Sequence, residues 1–262
     1  TGKFSLKVAD KMKLDNAFFI YDVTLDFSDV AMATAAKFIA ATKVGTVVVG
    51  YGPIGSNYGV FTEFNSKNLD GGRPTPSGVF NQPFESNSPS VVYVSPSIAG
   101  AKISLVTVSL NDNANLSEVQ VASLEYSIGS ITAGLSINNT SKTLFGPDYT
   151  NPNDYLRISL STIYKTDTLK ANVIYEMNTD NPSGDSTVMG AATSYQYNKA
   201  NIKLGFAMRD HSNTALNNTA LLGNMSYVVA QNKSAKITGH VGYENHTLSK
   251  YNTFKAGLKA NF

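Results

Sequence analysis

The sequence predicts an all-β fold, a closed antiparallel transmembrane β-barrel, and three observations carry that expectation. Segments of about ten residues in which apolar and polar side chains alternate recur along the chain, and alternation at period two puts one row on each face of a strand. No uninterrupted apolar stretch reaches the ~20 residues that a spanning helix needs, so a membrane is crossed by strands or not at all. The 262 residues are polar on average, with a mean hydropathy of -0.13, yet carry 14 Tyr and 13 Phe, as suits a wall with one greasy face and one wet face.

Taken in order, the first strand alternates Phe4, Leu6 and Val8 with Ser5, Lys7 and Ala9. The second sets Ala17, Phe19, Tyr21, Val23, Leu25 and Phe27 against Asp22, Thr24 and Asp26, after a turn at Lys13-Leu14-Asp15-Asn16. A third and a fourth, around 37–41 and 47–49, meet at Lys43-Val44-Gly45-Thr46. Residues 87–100 read as a strand pair; Ile103 with Leu105, then Ala122, Leu124 and Tyr126, then Ile131, Ala133, Leu135 and Ile137, give single strands. An Asn-, Pro- and Gly-rich loop fills 138–154.

The second half of the chain alternates more cleanly. Leu156, Ile158 and Leu160 oppose Arg157, Ser159 and Ser161, and Leu169, Ala171, Val173, Tyr175 and Met177 oppose Lys170, Asn172, Ile174 and Glu176. Met189, Ala191, Thr193, Tyr195 and Tyr197 form a further row, and Ile202, Leu204, Phe206 and Met208 face away from Lys203, Gly205, Ala207 and Arg209. After a polar loop over 210–218, Leu221, Gly223, Met225, Tyr227 and Val229 alternate with Leu222, Asn224, Ser226 and Val228. The short link Gln231-Asn232-Lys233 leads to Lys236, Thr238, His240, Gly242 and Glu244 against Ile237, Gly239, Val241 and Tyr243. In the last strand Phe254, Ala256, Leu258, Ala260 and Phe262 share one face, and Lys255, Gly257, Lys259 and Asn261 the other. Rings near strand ends, including Tyr155, Tyr164, Tyr195, Tyr197, Tyr243, Tyr251 and Phe262, suit interfacial girdles.

About fifteen strands are visible, and because bacterial single-chain barrels have an even count, sixteen is the leading expectation, with fourteen or fifteen open. The organisation is one barrel domain over 1–262 with an insertion over 53–87 that shows no clear alternation; an irregular segment that long is functional or disordered. The beginning, Thr1-Gly2-Lys3, has no Met and no signal-like apolar core, so the expectation is a removed leader or a sequence that starts mid-chain.

Composition excludes several classes. Zero Cys leaves no disulfide scaffold and no thiolate metal site, and a net charge of +2 with 15% charged residues leaves no basic stripe for nucleic acid. His211, His240 and His246 have no second ligand at metal spacing. No G-x-S-x-G motif is present, and the expectation is therefore no catalytic residue, no metal and no cofactor.

The segments around the insertion carry a resemblance. Lys43-Val44-Gly45-Thr46-Val47-Val48-Val49-Gly50 before it, residues 87–100 after it, and Asn57-Tyr58-Gly59-Val60 at its start resemble the surroundings of the third extracellular loop in the general Gram-negative porins. The resemblance implies a bacterial outer-membrane barrel for passive diffusion, associated with membrane lipid and lipopolysaccharide and assembled as a homotrimer. It implies that the insertion folds into the lumen as a constriction, with Glu63, Asp70 and Glu85 on its acidic side, Asp70-Gly71-Gly72 at its tip and Arg73 beside them. Where that family has an arginine ladder on the facing wall, this chain offers Lys7 and Lys37, and Val94 where one arginine is often found, which implies a weak transverse field. The terminal Phe262 corresponds to the residue that barrel assembly reads.

The face assignment puts Lys7, Lys37, Lys102, Arg157, Lys170, Lys203, Arg209, Lys236, Lys255 and Lys259 in the lumen against Asp22, Asp26, Glu125, Glu176 and Glu244. Arg157, Lys170, Lys203, Arg209, Lys236 and Lys255 are the candidate pore lining, and the wall leans towards a weak anion preference. The plainer account is that such charges are solvated and screened within about 8 Å at physiological salt. Two other functions fit a barrel. A sugar-specific channel needs a track of lumen aromatics, of which the strands offer few; a structural or adhesive barrel needs long outer loops, yet most connections are short. A large soluble sandwich would turn the rings inward.

Overall fold

The computed structural model describes residues 5–14, 17–26, 32–53, 87–109, 118–145, 153–231, 234–247 and 251–261. They form fifteen strands: β1 (Ser5–Leu14), β2 (Ala17–Asp26), β3 (Met32–Thr42), β4 (Gly45–Pro53), β5 (Asn87–Val94), β6 (Ala101–Val108), β7 (Val119–Ile128), β8 (Ile131–Thr140), β9 (Tyr155–Lys165), β10 (Leu169–Thr179), β11 (Ser186–Tyr197), β12 (Ala200–His211), β13 (Asn218–Gln231), β14 (Lys236–His246) and β15 (Tyr251–Asn261). Short 3-10 turns stand at Lys142–Phe145 and Thr214–Leu216. The strands make one sheet in sequence order, β1 through β15, and each pairs antiparallel with the next, β10 for example with β9 and β11. Fifteen is the number visible in the sequence; a sixteenth strand is not among the described residues.

The connections sort by end. Most of those after odd-numbered strands are short, as at 43–44, 129–130 and 198–199, and most of those after even-numbered strands are longer, as at 109–118, 141–154 and 212–217; 95–100 and 247–250 depart from this. Turn chemistry explains the short ones: Asn198 and Gly129 adopt positive φ values of 49° and 55°, the region that Gly and Asn tolerate best.

Several boundaries differ from the sequence reading: Lys13 and Leu14 belong to β1, Pro53 to β4, Asn87 to β5, Asp210 and His211 to β12, and Asn218 and Gln231 to β13, and three further differences have a local cause. Residues 87–100 are one strand, β5, followed by a turn. Pro96 has no N–H to give a ladder, and Ala99 and Gly100 turn the chain with φ of 49° and 85°. A Cβ on Gly100 would collide with the carbonyl oxygen of Ser127. Gly45 and Thr46 belong to β4, so the preceding turn is Lys43 and Val44 alone. The segment read as loop from Asn138 begins later, because β8 continues to Thr140 through its pairing with Leu156 and Tyr155.

The two faces of the sheet differ in exposure, and that difference sets the inside and the outside. Val173 is 60% exposed and its neighbour Ile174 3%, although both are aliphatic. Met189, Leu204, Phe206, Leu221, Met225, Tyr227 and Val241 are exposed with Val173, while Asn172, Glu176, Val188, Ala207, Ala220 and Leu222 are buried with Ile174. The face with the open apolar row is outer here, and the shielded, more polar face inner. Soluble sheets hide the apolar row; this one presents it, as a wall against lipid does.

This arrangement makes a stability prediction. Leu204→Arg, on the outer face of β12, loses about 2–4 kcal/mol in a bilayer. Gly257→Arg, on the inner face of β15 with nothing within 4 Å of an added Cβ, changes stability by about 0.5 kcal/mol or less. Urea titration of protein in phospholipid vesicles measures both, and equal losses contradict the face assignment.

Candidate functional site: the inner wall

Two chemically distinct zones lie on the inner face. Near the longer connections, β8, β9 and β10 carry a buried polar network. Arg157 on β9 stands opposite Asn138 on β8 and Asn178 on β10. Its Nε lies 3.3 Å from Glu176 Oε2, with both side chains buried, and donates to Ser159 Oγ at 3.4 Å. Asn178 Nδ2 donates to Glu176 Oε1 at 3.0 Å, Tyr155 donates its hydroxyl proton to Asn178 Oδ1 at 2.6 Å, and Thr140 donates to Asn138 Oδ1 at 3.2 Å. A buried carboxylate is stable only when its lone pairs are met by cations or donors; Glu176 has both.

Other buried polar groups extend that zone along the same end. His246 Nε2 lies 2.9 Å from Glu244 Oε1, Ser109 donates to Glu118 Oε2 at 3.5 Å, and Arg209 donates to the carbonyl of Leu216 at 3.1 Å. Between these groups Ile174, Val188, Ala192, Ala207, Ala220 and Leu222 form one buried apolar cluster.

A second zone on the inner face is basic. Lys170 faces Lys165 on one side and Ser194 on the other; Ser194 faces Lys203, Lys203 faces Asn224, Asn224 faces Gly242, and Gly242 faces Lys255. Four lysines therefore lie on one line across seven strands, β9 to β15. His240, one step nearer the short turns opposite Ser226 and Gly257, is within electrostatic reach of Lys203 and Lys259. Lys102 stands opposite Glu125.

The candidate residues fall into three groups. Lys170, Lys203 and Lys255 share the basic line, and Lys236 stands at the end of β14 opposite Gln231 and Asn261. Arg157 and Arg209 are on the same face, but Arg157 is buried in its network and Arg209 is tied to the loop carbonyl. Lys7 lies opposite Thr24 in the β1–β2 register, and Lys37 opposite Asp22 and Gly50. Glu63, Asp70, Arg73 and Glu85 lie outside the described residues. Among the described residues, no three His, Asp or Glu side chains converge as metal ligands.

Comparison with known proteins rests on structure. No protein-family model and no curated protein matches the sequence. A mutant of the Rhodopseudomonas blastica porin is similar with a TM-score of 0.67 at 15% identity, over 98% of this chain and 89% of that one. The anion-selective porin from Comamonas acidovorans is similar with a TM-score of 0.62 at 13% identity, over 98% and 85%. A loop L8 deletion mutant of OmpT, an outer membrane protein of Vibrio cholerae, gives 0.61 at 15%, over 99% and 90%. The fold is that of the bacterial porins. The likeness spans nearly the whole chain, so the porin fold accounts for β1 to β15 together.

Sequence reasoning missed the network around Arg157, namely its contacts with Glu176 and Ser159 and the bonds from Tyr155 to Asn178 and from Asn178 to Glu176, and the pairing of His246 with Glu244. A signal was present. Polar residues at the loop ends of inner rows, such as Asn138, Thr140 and Asn178, are too many for a face that only needs wetting. The apolar cluster also had a signal, in Ala220-Leu221-Leu222, where alternation lapses and both faces become apolar.

Glu176→Ala leaves the Arg157 guanidinium buried without its carboxylate and is expected to cost about 3–5 kcal/mol. Glu125→Ala, at an exposed inner-face position, is expected to cost at most about 0.5 kcal/mol. Urea unfolding in vesicles checks the pair; similar costs contradict a structural role for the network.

Proposed function

We propose that the protein is an outer-membrane porin, in which the sheet closes into a barrel around a water-filled pore and ions and small hydrophilic solutes diffuse through it without catalysis. The observation that carries this reading is the exposure of the apolar row beside a shielded, more polar row, seen in neighbours such as Val173 and Asn172. A continuous ladder with a greasy outside is the form in which a sheet satisfies its backbone in hydrocarbon.

Closure follows a parity rule. β1 and β15 both run from the longer connections towards the short turns, so they are parallel to one another. Antiparallel closure needs one further strand between them, and sixteen strands is the count this reading adopts.

The insertion over 53–87 is proposed to occupy the lumen as a constriction. Burial supports it: Val188, Ala207 and Ala220 are fully shielded on the inner face, yet the principal contacts among described elements are between neighbouring strands and between β12 and its adjoining 3-10 turn. Apolar side chains on the wall of a wet pore require a cover. In this arrangement Glu63, Asp70, Glu85 and Arg73 line the constriction against Lys7 and Lys37. The described wall contributes Lys170, Lys203, Lys236 and Lys255, with Arg157 and Arg209 towards the longer connections, and gives a weak anion preference. Outer-membrane residence, contact with lipid and lipopolysaccharide, and a homotrimer complete the proposal, supported by the shared fold and the outer apolar row.

Planar-bilayer recording tests this directly. Purified protein is expected to insert as discrete, large conductance steps, and the reversal potential in a KCl gradient is expected to show chloride modestly favoured over potassium. Absence of steps overturns the channel; clear cation selectivity overturns the charge assignment.

A further inference from the structure

We propose that His240 sets a proton-dependent part of the pore's ion selectivity: as the pH falls from about 8 to about 5, its imidazole gains a charge that shifts the wall further towards small anions such as chloride. The proposal rests on the porin reading and names the residue through which pH reaches that preference.

The three histidines are placed differently. His211, the last residue of β12, is buried, and its Nδ1 accepts from the backbone N–H of Asn213 at 2.9 Å. His246, the last residue of β14, is buried with its Nε2 2.9 Å from Glu244 Oε1. In both, a ring nitrogen is committed to a contact at a strand end. His240 lies in the middle of β14 on the inner row, half-buried, opposite Ser226 on β13 and Gly257 on β15. Its Nε2 has no hydrogen-bond partner among the described residues. Nothing among them lies within 4 Å of where a Cβ on Gly257 would stand, so the wall is open on the β15 side of the ring.

The charged or titratable groups that face His240 among the described residues are Lys203 on β12, Lys255 and Lys259 on β15, and Lys236 and Glu244 on β14 itself. β13 presents Asn224, Ser226 and Val228. Lys259 stands opposite Thr238, diagonal to His240, at a backbone spacing of about 7–8 Å, within the screening length of about 8 Å at physiological salt. Glu244, two inner positions away, is engaged by His246. Ammonium groups ordinarily keep their charge from pH 8 to pH 5, with or without a partner, whereas an imidazole gains one.

A proton taken up by His240 therefore adds one positive charge to the wall, on a ring whose Nε2 has no acceptor among the described residues. Mobile anions in the pore answer that charge, so local chloride rises and local potassium falls. Pore ions also screen it. The screening length is about 30 Å at 0.01 M salt and about 3 Å at 1 M, so the effect belongs to dilute solutions.

The test is the reversal potential in planar bilayers under a KCl gradient of about 0.1 M against 0.01 M, recorded at about pH 7.5 and about pH 5. The chloride-to-potassium permeability ratio is expected to rise by about 1.5-fold or more on acidification. His240→Gln is expected to cut that rise to less than about 1.2-fold, and His240→Lys to hold the ratio near its acid value at both pH values. At about 1 M salt the rise is expected to vanish. Conductance steps from each variant show that it folds and inserts. No rise in the unmodified protein, a rise unchanged in His240→Gln, or one that persists at about 1 M salt overturns the role of His240 while leaving the porin intact. A protein that gives no conductance steps at all overturns both.

Discussion

Everything in this molecule depends on a backbone constraint. In hydrocarbon an unpaired N–H or C=O costs several kcal/mol, so a chain without a long apolar helix can enter a bilayer only as a sheet whose ladders are continuous. The order β1 to β15 without a crossover meets that constraint strand by strand. Period-two alternation does the rest, because a continuous ladder fixes which side chains share a face, and a slip of one residue would turn Leu204 and Phe206 inward and Lys203 and Arg209 outward.

The inner wall then divides by chemistry. At the end with longer connections, polar groups are matched, as in the buried ion pair of Arg157 with Glu176 and the contact of His246 with Glu244. There polar groups hold the wall in one conformation, and removing a partner is costly. Lys165, Lys170, Lys203 and Lys255 lie on one register line across β9 to β15. The matched pairs and the lysine positions thus occupy different register lines of the same inner face.

Legibility in the sequence followed the same physics. Strands that are apolar on one face and polar on the other, such as β12 with Leu204 and Phe206 against Lys203 and Arg209, were readable almost residue by residue. Readability fell where local rules conflict. Ser95, Pro96 and Ser97 interrupt the valine run of β5, and the turn that follows was read as strand. Asn138 and Asn139 are poor strand formers by propensity, yet pairing with β9 keeps them in β8. The inner network was hidden because Arg157 and Glu176 are nineteen positions apart in the chain, a separation given directly by their numbers, and only register brings them together. Glu63, Asp70, Arg73 and Glu85 rest on resemblance.

The central claim is that the apolar row faces lipid and the polar row faces water. The absence of native cysteine permits nitroxide labels at single positions 202 to 207 in turn, on β12. In vesicles, collision with oxygen dissolved in the bilayer is expected to peak at Ile202, Leu204 and Phe206. Collision with a water-soluble nickel chelate should peak out of phase, at Lys203 and Gly205. Two profiles in phase, or a chelate maximum at Leu204 and Phe206, contradict it.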